Sequence, residues 1–108
     1  MAVTTIASGT QTAVIGTEHE LDADTTANIF LFYVDTTNMV AGDITLLRIR
    51  QQILSSGALV TVYEAAYAHK QSEPVKISIP VASDYNISFR LQQMAGTGRN
   101  YNWSVKTL

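Results

Sequence analysis

Alternation of apolar and polar residues with a period of two dominates the second half of the chain. The pattern recurs in four segments, which are residues 59–67, 75–81, 85–92 and 101–106. Successive side chains of a β-strand point to opposite faces of a sheet, so this alternation is typical of strands that bury one face and expose the other. Residues that favour turns separate the segments, and we therefore expect an antiparallel arrangement of short strands.

The first half of the chain predicts further strands. Residues 11–15 form a short β-prone segment that ends at Gly16. Residues 27–34 are apolar at both sets of alternating positions, which is typical of a central strand covered on both faces. Thr, Val, Ile, Tyr, Phe and Trp make up 40 of the 108 residues, and these types fit the surface of a pleated sheet.

Residues 44–54, from Ile44 to Leu54, fit two structures. As a strand, the segment places Leu47 and Ile49 on one face and arginines on the other. As a helix, it would begin at Asp43 as the N-cap residue. The strand is favoured because the segments on either side are strands.

The expected fold is therefore an all-β, antiparallel, jelly-roll-like sandwich of about eight short strands. We expect one domain over residues 13–108, preceded by an N-terminal arm at residues 1–12. The small, polar residues of this arm suit either a flexible extension or an edge strand.

Composition argues against several classes of function. The net charge is −2, which does not favour a nucleic-acid partner, and no run of apolar residues is long enough to span a membrane. The chain has no cysteine, and no basic residue precedes Arg48, so a secretory signal is not expected.

Four carboxylates occupy alternate positions, at Glu18, Glu20, Asp22 and Asp24. On a regular strand they would project from one face, where they could bind Ca²⁺ or dock on a basic partner. The spacing does not match that of an EF-hand loop, and a solvated strand face is favoured over both.

No residue pattern predicts catalysis, so we expect no enzyme and assign no catalytic, cofactor-binding or metal-binding residue. His19 and His69 lie 50 positions apart and are expected at the surface or half-buried. Residues 96–99, Gly-Thr-Gly-Arg, lack the ending of a phosphate-binding loop and precede a strand, which favours a glycine hairpin. The aromatic residues of the alternating segments could stack sugars but are expected in the core. Three arginines could form a basic patch if their strands are neighbours: Arg48, Arg50 and Arg90.

Two stretches of the chain contain recognisable motifs. Residues 33–49 contain a strand, Val34-Asp35, a turn, Met39, Gly42-Asp43 and a second strand. Residues 91–105 contain the Gly-Thr-Gly-Arg turn followed by Trp103-Ser104-Val105. Together these stretches resemble small β-sandwich structural proteins of tailed bacteriophages, and the resemblance implies a structural place in the virion without catalytic activity.

Within that group the expected role is a capsid cement or decoration protein. The resemblance implies that it binds the major capsid protein and neighbouring copies of itself, as in a trimer, with the N-terminal arm reaching a neighbour. Neck, tail or fibre components of the same fold remain alternatives. A carbohydrate- or Ca²⁺-binding jelly roll, in which the carboxylates and aromatic residues would act, is a further alternative.

Overall fold

Two antiparallel sheets pack face to face in the computed structural model, which describes residues 3–108. The predicted all-β sandwich is confirmed, with nine strands instead of about eight. The strands are β1 (Thr4–Thr12), β2 (Glu18–Asp24), β3 (Asn28–Asp35), β4 (Ile44–Gln52), β5 (Leu59–Ala68), β6 (Val75–Ile77), β7 (Val81–Ser83), β8 (Ile87–Ala95) and β9 (Asn100–Thr107). Among these described residues, no helix is long and apolar enough to cross a membrane.

The strands divide between the two sheets in jelly-roll order. Sheet A has the order β1-β9-β3-β6, with β7 also paired to β3, and sheet B has the order β2-β8-β4-β5. The short strands β6 and β7 lie along the same edge of β3 and are separated by residues 78–80, so they act as one interrupted strand. Ser78 bridges this interruption because its amide donates to Phe32 O and its hydroxyl accepts from Phe32 N, both at 2.9 Å.

The core lies between the inward faces of the two sheets. Phe30 and Phe32 of β3 pack against Phe89 of β8, with ring centroids 5.8 and 5.5 Å apart. Ile87 and Leu91, two positions either side of Phe89, are also fully buried. This period of two confirms the alternation predicted for β8, and burial of these large side chains is the main force that holds the sheets together.

The segment that fitted either a strand or a helix is a strand. In β4, Leu47 and Ile49 are buried, whereas Arg48 and Arg50 lie on the outer face of sheet B. Pairing with β5 on one side and β8 on the other supplies the backbone hydrogen bonds that a helix would have made internally. A turn within residues 53–58 connects β4 to β5.

The predicted N-terminal arm is an edge strand from Thr4 onward. Strand β1 pairs with β9 from Thr4 opposite Thr107 to Thr12 opposite Asn100, with one irregularity near Ile6. The edge-strand alternative is therefore correct for residues 4–12, while residues 1 and 2 lie outside the described part of the chain. Residues 4–12 therefore do not form a free arm.

For β3, cover of both faces is expected from the opposing sheet on one side and from a loop or a subunit on the other. Within this chain no loop covers the outward face, because Ile29 is exposed while Leu31 and Tyr33 are half-buried, so cover by a subunit stays a prediction. One further expectation needs correction. Residues 96–99 do not form a hairpin, since the strands that they join, β8 and β9, belong to opposite sheets. The same glycine-rich composition permits a sharp turn in either arrangement, so it does not determine which sheet the next strand enters.

Candidate functional site

Four loops meet at one end of the sandwich, here called the loop end: residues 13–17, 36–43, 69–74 and 96–99. Backbone hydrogen bonds connect them in pairs. Ala13 N donates to Arg99 O at 2.9 Å, His69 N to Asp43 O at 2.8 Å, and Thr36 N to Pro74 O at 2.9 Å. Each loop is thus fixed by at least one contact with another element, and the loop end is a braced surface.

An ion pair lies at the centre of the loop end. Arg99 Nε donates to Asp43 Oδ2 at 2.8 Å, and the Asp43 carboxylate also accepts from Val40 N at 3.0 Å. Asp43 is only 1% exposed. Burial alone would raise the pKa of Asp43, but the hydrogen bonds from Arg99 and Val40 outweigh it and hold this pKa below its ordinary value.

This ion pair joins the two stretches that carry the phage resemblance. Asp43 ends the Met-Val-Ala-Gly-Asp turn, and Arg99 ends the Gly-Thr-Gly-Arg turn. The motifs therefore meet in space, although they are 56 residues apart. In this structure the pair holds together two loops that each connect one sheet to the other.

A buried polar cluster continues from the ion pair into the core. Gln93, which is fully buried, donates to Ala95 O at 3.0 Å and to Thr97 O at 2.8 Å, and its Oε1 accepts from Arg99 N and from the Tyr101 hydroxyl. Tyr101 also shares a hydrogen bond of 2.7 Å with Thr45, and burial raises its pKa. Since every one of these groups is paired, the cluster shapes the 96–99 loop and leaves none of them free for chemistry.

The buried side-chain polar atoms of the loop end all have hydrogen-bond partners. Within residues 3–108, the buried side-chain polar atoms without a partner are Arg50 Nε and Ser83 Oγ, and both residues lie toward the opposite end of the sandwich.

Gly98 allows two loops of the loop end to pack closely, because a Cβ atom at this position would overlap the carbonyl oxygen of Ala13. The loops consequently approach each other more closely than residues with side chains would allow.

Apolar side chains stand on this braced end and face solvent. Val14 is 58% exposed and Val40 is 44% exposed. Ile15, which follows Val14, is also exposed, and so is Met94, whose neighbour Gln93 accepts a hydrogen bond from Gly16 N. Exposed apolar groups on rigid loops favour contact with another protein, because they can be buried without a large loss of conformational entropy.

The four carboxylates do not form one site. An irregularity at Leu21 shifts the register of β2, so that Glu20 lies opposite Arg90 but Asp22 lies opposite the inward-facing Phe89. Burial raises the pKa of Asp22. The strip is therefore split at its middle, and among residues 3–108 no group of three or more His, Asp or Glu side chains is placed to hold a metal ion.

Glu18 and Glu20, the first two of the four carboxylates, pair with arginines of the predicted group. Glu18 contacts both Arg48 and Arg90, with a distance of 2.7 Å from Arg90 Nη1 to Glu18 Oε1. Arg48 reaches Glu64 and Arg90 reaches Glu20. Burial opposes ionisation of Glu18, but the two arginines lower its pKa below the ordinary value. Arg48 and Arg90 lie directly opposite each other, and with these carboxylates they form a ladder of ion pairs instead of a basic patch. Arg50, the third arginine of the group, is in no ion pair with the residues that the structure describes.

The remaining candidates have local structural partners. His19 Nε2 accepts from Val14 N at 3.1 Å, and His69 Nδ1 accepts from Gly42 N at 2.9 Å, so both histidines fasten loop-end backbone. Tyr101 is fully buried, as predicted for the aromatic residues of alternating segments. Three other aromatic residues are half-buried and pack against the core: Tyr63, Tyr67 and Trp103.

Sequence reasoning missed the Asp43–Arg99 pair and Gln93. Asp43 and Arg99 each end a glycine-containing turn, which could have marked them as candidates, but nothing in the sequence spacing shows that the two turns meet. Comparison with protein-family models, curated proteins and solved structures found no match.

Proposed function

We propose that this chain is a non-catalytic structural protein that decorates the capsid of a tailed bacteriophage. The phage setting comes from the two resembling stretches, which the Asp43–Arg99 pair brings together. The mode of action comes from the loop end, where exposed Val14 and Val40 stand on hydrogen-bonded loops. In this proposal the loop end binds the major capsid protein.

The observation that carries a binding role is the combination of exposed apolar side chains with a rigid support. Association is opposed by the loss of loop and side-chain freedom, and loops that are already fixed lose less. The two loops that carry Val14 and Val40, residues 13–17 and 36–43, contain one charged residue, Asp43, which is paired with Arg99, so the apolar part of the loop end is poor in free charge. Cores of protein interfaces are likewise depleted in charge. A protein that binds only the assembled shell stabilises it by mass action.

A neck, tail or fibre component would use the same kind of surface. Copy number separates these roles, because hundreds of copies per particle indicate the shell, whereas about six or twelve indicate the tail or neck. The Ca²⁺-binding alternative loses its support, since Glu18 and Glu20 already pair with arginines and the register of β2 shifts between Glu20 and Asp22.

The experiment measures binding of the purified protein to phage shells that lack it, by co-sedimentation and by quantitative mass spectrometry of intact particles. A Val14→Asp/Val40→Asp variant places charge on the loop end and is expected to lose binding. Ile53→Asp is the matched control, because Ile53 is 57% exposed in the turn that follows β4 at the opposite end. Equal binding by both variants would refute the loop end as the contact, and particles that contain no copy of the chain would refute the phage role.

A further inference from the structure

The outward face of sheet A is a second apolar surface, distinct from the loop end. Its centre is Tyr33 on β3, flanked along the strand by Leu31 and bordered by Val75 and Ile77 of the edge strand β6. Val75 and Ile77 are each 52% exposed. This surface, here called the β3 face, differs from the outer face of sheet B, which carries the ladder of ion pairs.

Two charged side chains lie on the β3 face, one at each end. Lys106 of β9 is paired with Leu31, and its Nζ lies 5.2 Å from the centroid of the Tyr33 ring. Asp35 is paired with Asn102 of β9 and with Val75. Residues 31 and 35 are four positions apart on one strand, which places their backbones about 13 Å apart along it. The Lys106 side chain extends from the Leu31 end toward Tyr33, and its Nζ donates to Thr5 Oγ1 at 2.7 Å.

A shallow recess of about 230 Å³ occupies the Asp35 end of the same face. Tyr33, Asp35 and Val75 line it from β3 and β6, and Asn102 and Ser104 line it from β9. Leu31 and Lys106 are outside this lining, at the other end. The β3 face thus has an aliphatic and cationic end and a hollow, anionic end, with the Tyr33 ring between them.

Such a surface is complementary to itself. A two-fold axis that lies between two facing copies and crosses β3 at Tyr33 brings the Lys106 end of one copy over the Asp35 end of the other. The recess of each copy then receives the Leu31 and Lys106 side chains of the other, and two Lys106–Asp35 contacts form at once. We propose that the β3 face is the interface of a two-fold symmetric dimer of this chain.

This interface goes beyond the proposed function because it uses a different surface from the loop end. The apolar contribution to the free energy of dimerisation would come from burial of four side chains, those of Leu31, Tyr33, Val75 and Ile77. The opposite charges would fix the orientation of the two copies. It would also cover the outward side of β3, whose residues are apolar at both sets of alternating positions. That pattern, typical of strands covered on both faces, has no explanation within a single copy.

The test is a charge exchange read by sedimentation velocity and light scattering over a range of protein concentrations. Lys106→Glu faces Asp35 with a like charge in both symmetric contacts, and Asp35→Lys faces Lys106 in the same way. Each single variant is expected to weaken the dimer by tenfold or more. An equimolar mixture of the two variants restores both contacts and is expected to dimerise, as is the Asp35→Lys/Lys106→Glu double variant.

Controls separate this result from effects of net charge or folding. Lys70→Glu and Asp84→Lys make the same charge changes at exposed loop or turn positions and should leave dimerisation unchanged. Asp35 accepts from Thr37 N at 2.9 Å, so Asp35→Lys alters a local turn, whereas Lys106→Glu leaves that turn intact and tests the proposal by itself if Asp35→Lys does not fold. A wild-type monomer at high concentration, a trimer, or a Lys106→Glu dimer of wild-type strength would each overturn the proposal.

Discussion

Gly96 lies so close to Asp43 that a Cβ atom at position 96 would overlap the Asp43 carboxylate. The backbone of Gly96 is also in the left-handed region, with φ of 90°. Both constraints select glycine, one through space and one through backbone conformation. The loop between the sheets is therefore shaped around the carboxylate that pairs with Arg99.

Gly98→Ala is expected to destabilise the fold, because its Cβ atom would meet the backbone carbonyl of Ala13 and the backbone cannot move aside without breaking the Ala13–Arg99 hydrogen bond. We expect a loss of about 1–3 kcal/mol in the free energy of unfolding, measured by urea denaturation. Gly9→Ala is the matched control, since a Cβ atom there lies at 3.4 Å from the Trp103 ring. A loss for Gly9→Ala as large as that for Gly98→Ala would contradict the steric explanation.

Asp43→Asn is expected to lower the free energy of unfolding by about 1–3 kcal/mol, because a buried, charge-assisted hydrogen bond is replaced by a neutral one. Thermal denaturation followed by circular dichroism measures the effect. Asp24→Asn serves as the control, since Asp24 accepts from Thr26 in an exposed turn that asparagine can also form, and a change within about 0.5 kcal/mol is expected there. Equal effects of the two substitutions would show that burial of Asp43 contributes nothing.

The contribution of Asp43 should depend on pH. Its folded-state pKa lies below the ordinary value of 3.8, so the ionised carboxylate favours the folded state, and this stability is complete above about pH 4. As pH falls through the lower folded-state pKa, the carboxylate is protonated and the stabilisation is lost. The difference in urea midpoint between the wild type and Asp43→Asn should therefore shrink from pH 7 to pH 2. A difference that stays constant over this range would contradict the lowered pKa.

Glu18→Gln should cost more stability than Glu64→Gln. Glu18 has 20% of its side chain exposed and pairs with two arginines, whereas Glu64 has 45% exposed and pairs with one. Removal of the Glu18 charge also takes away the carboxylate that Arg48 and Arg90, directly opposite each other, share, and leaves each arginine with a single, more exposed partner. We expect about 0.5–1 kcal/mol for Glu18→Gln and a few tenths for Glu64→Gln at low salt, with the difference reduced at high salt. Equal losses at low salt would argue against the ladder.

The strands could be predicted because their signal is local. For β4 the alternation of Leu47 and Ile49 with arginines fits a strand but does not exclude a helix, and the strand character of the neighbouring segments decides the prediction. The sheet to which a strand belongs depends on contacts far along the chain, which is why the 96–99 turn was expected to form a hairpin and instead connects the two sheets.

The candidate site could be predicted only in fragments. Asp43 and Arg99 each belong to a recognisable turn, but their contact spans 56 residues and no spacing encodes it. The register shift at Leu21, which divides the four carboxylates, leaves no trace in a pattern that alternates perfectly. Irregularities of this kind follow from how a strand fits its neighbours and are invisible to local periodicity.

Strand β9 has a place in sheet A that bears on how the sheet can form. It lies between β1 and β3, and five strands separate it from β3 along the chain, so it joins two segments that do not pair with each other. Pairings between segments so distant in sequence slow folding, because a long loop must close before the contacts form. Deletion of Asn100–Thr107 would leave β1 without its partner in sheet A and open a gap through that sheet.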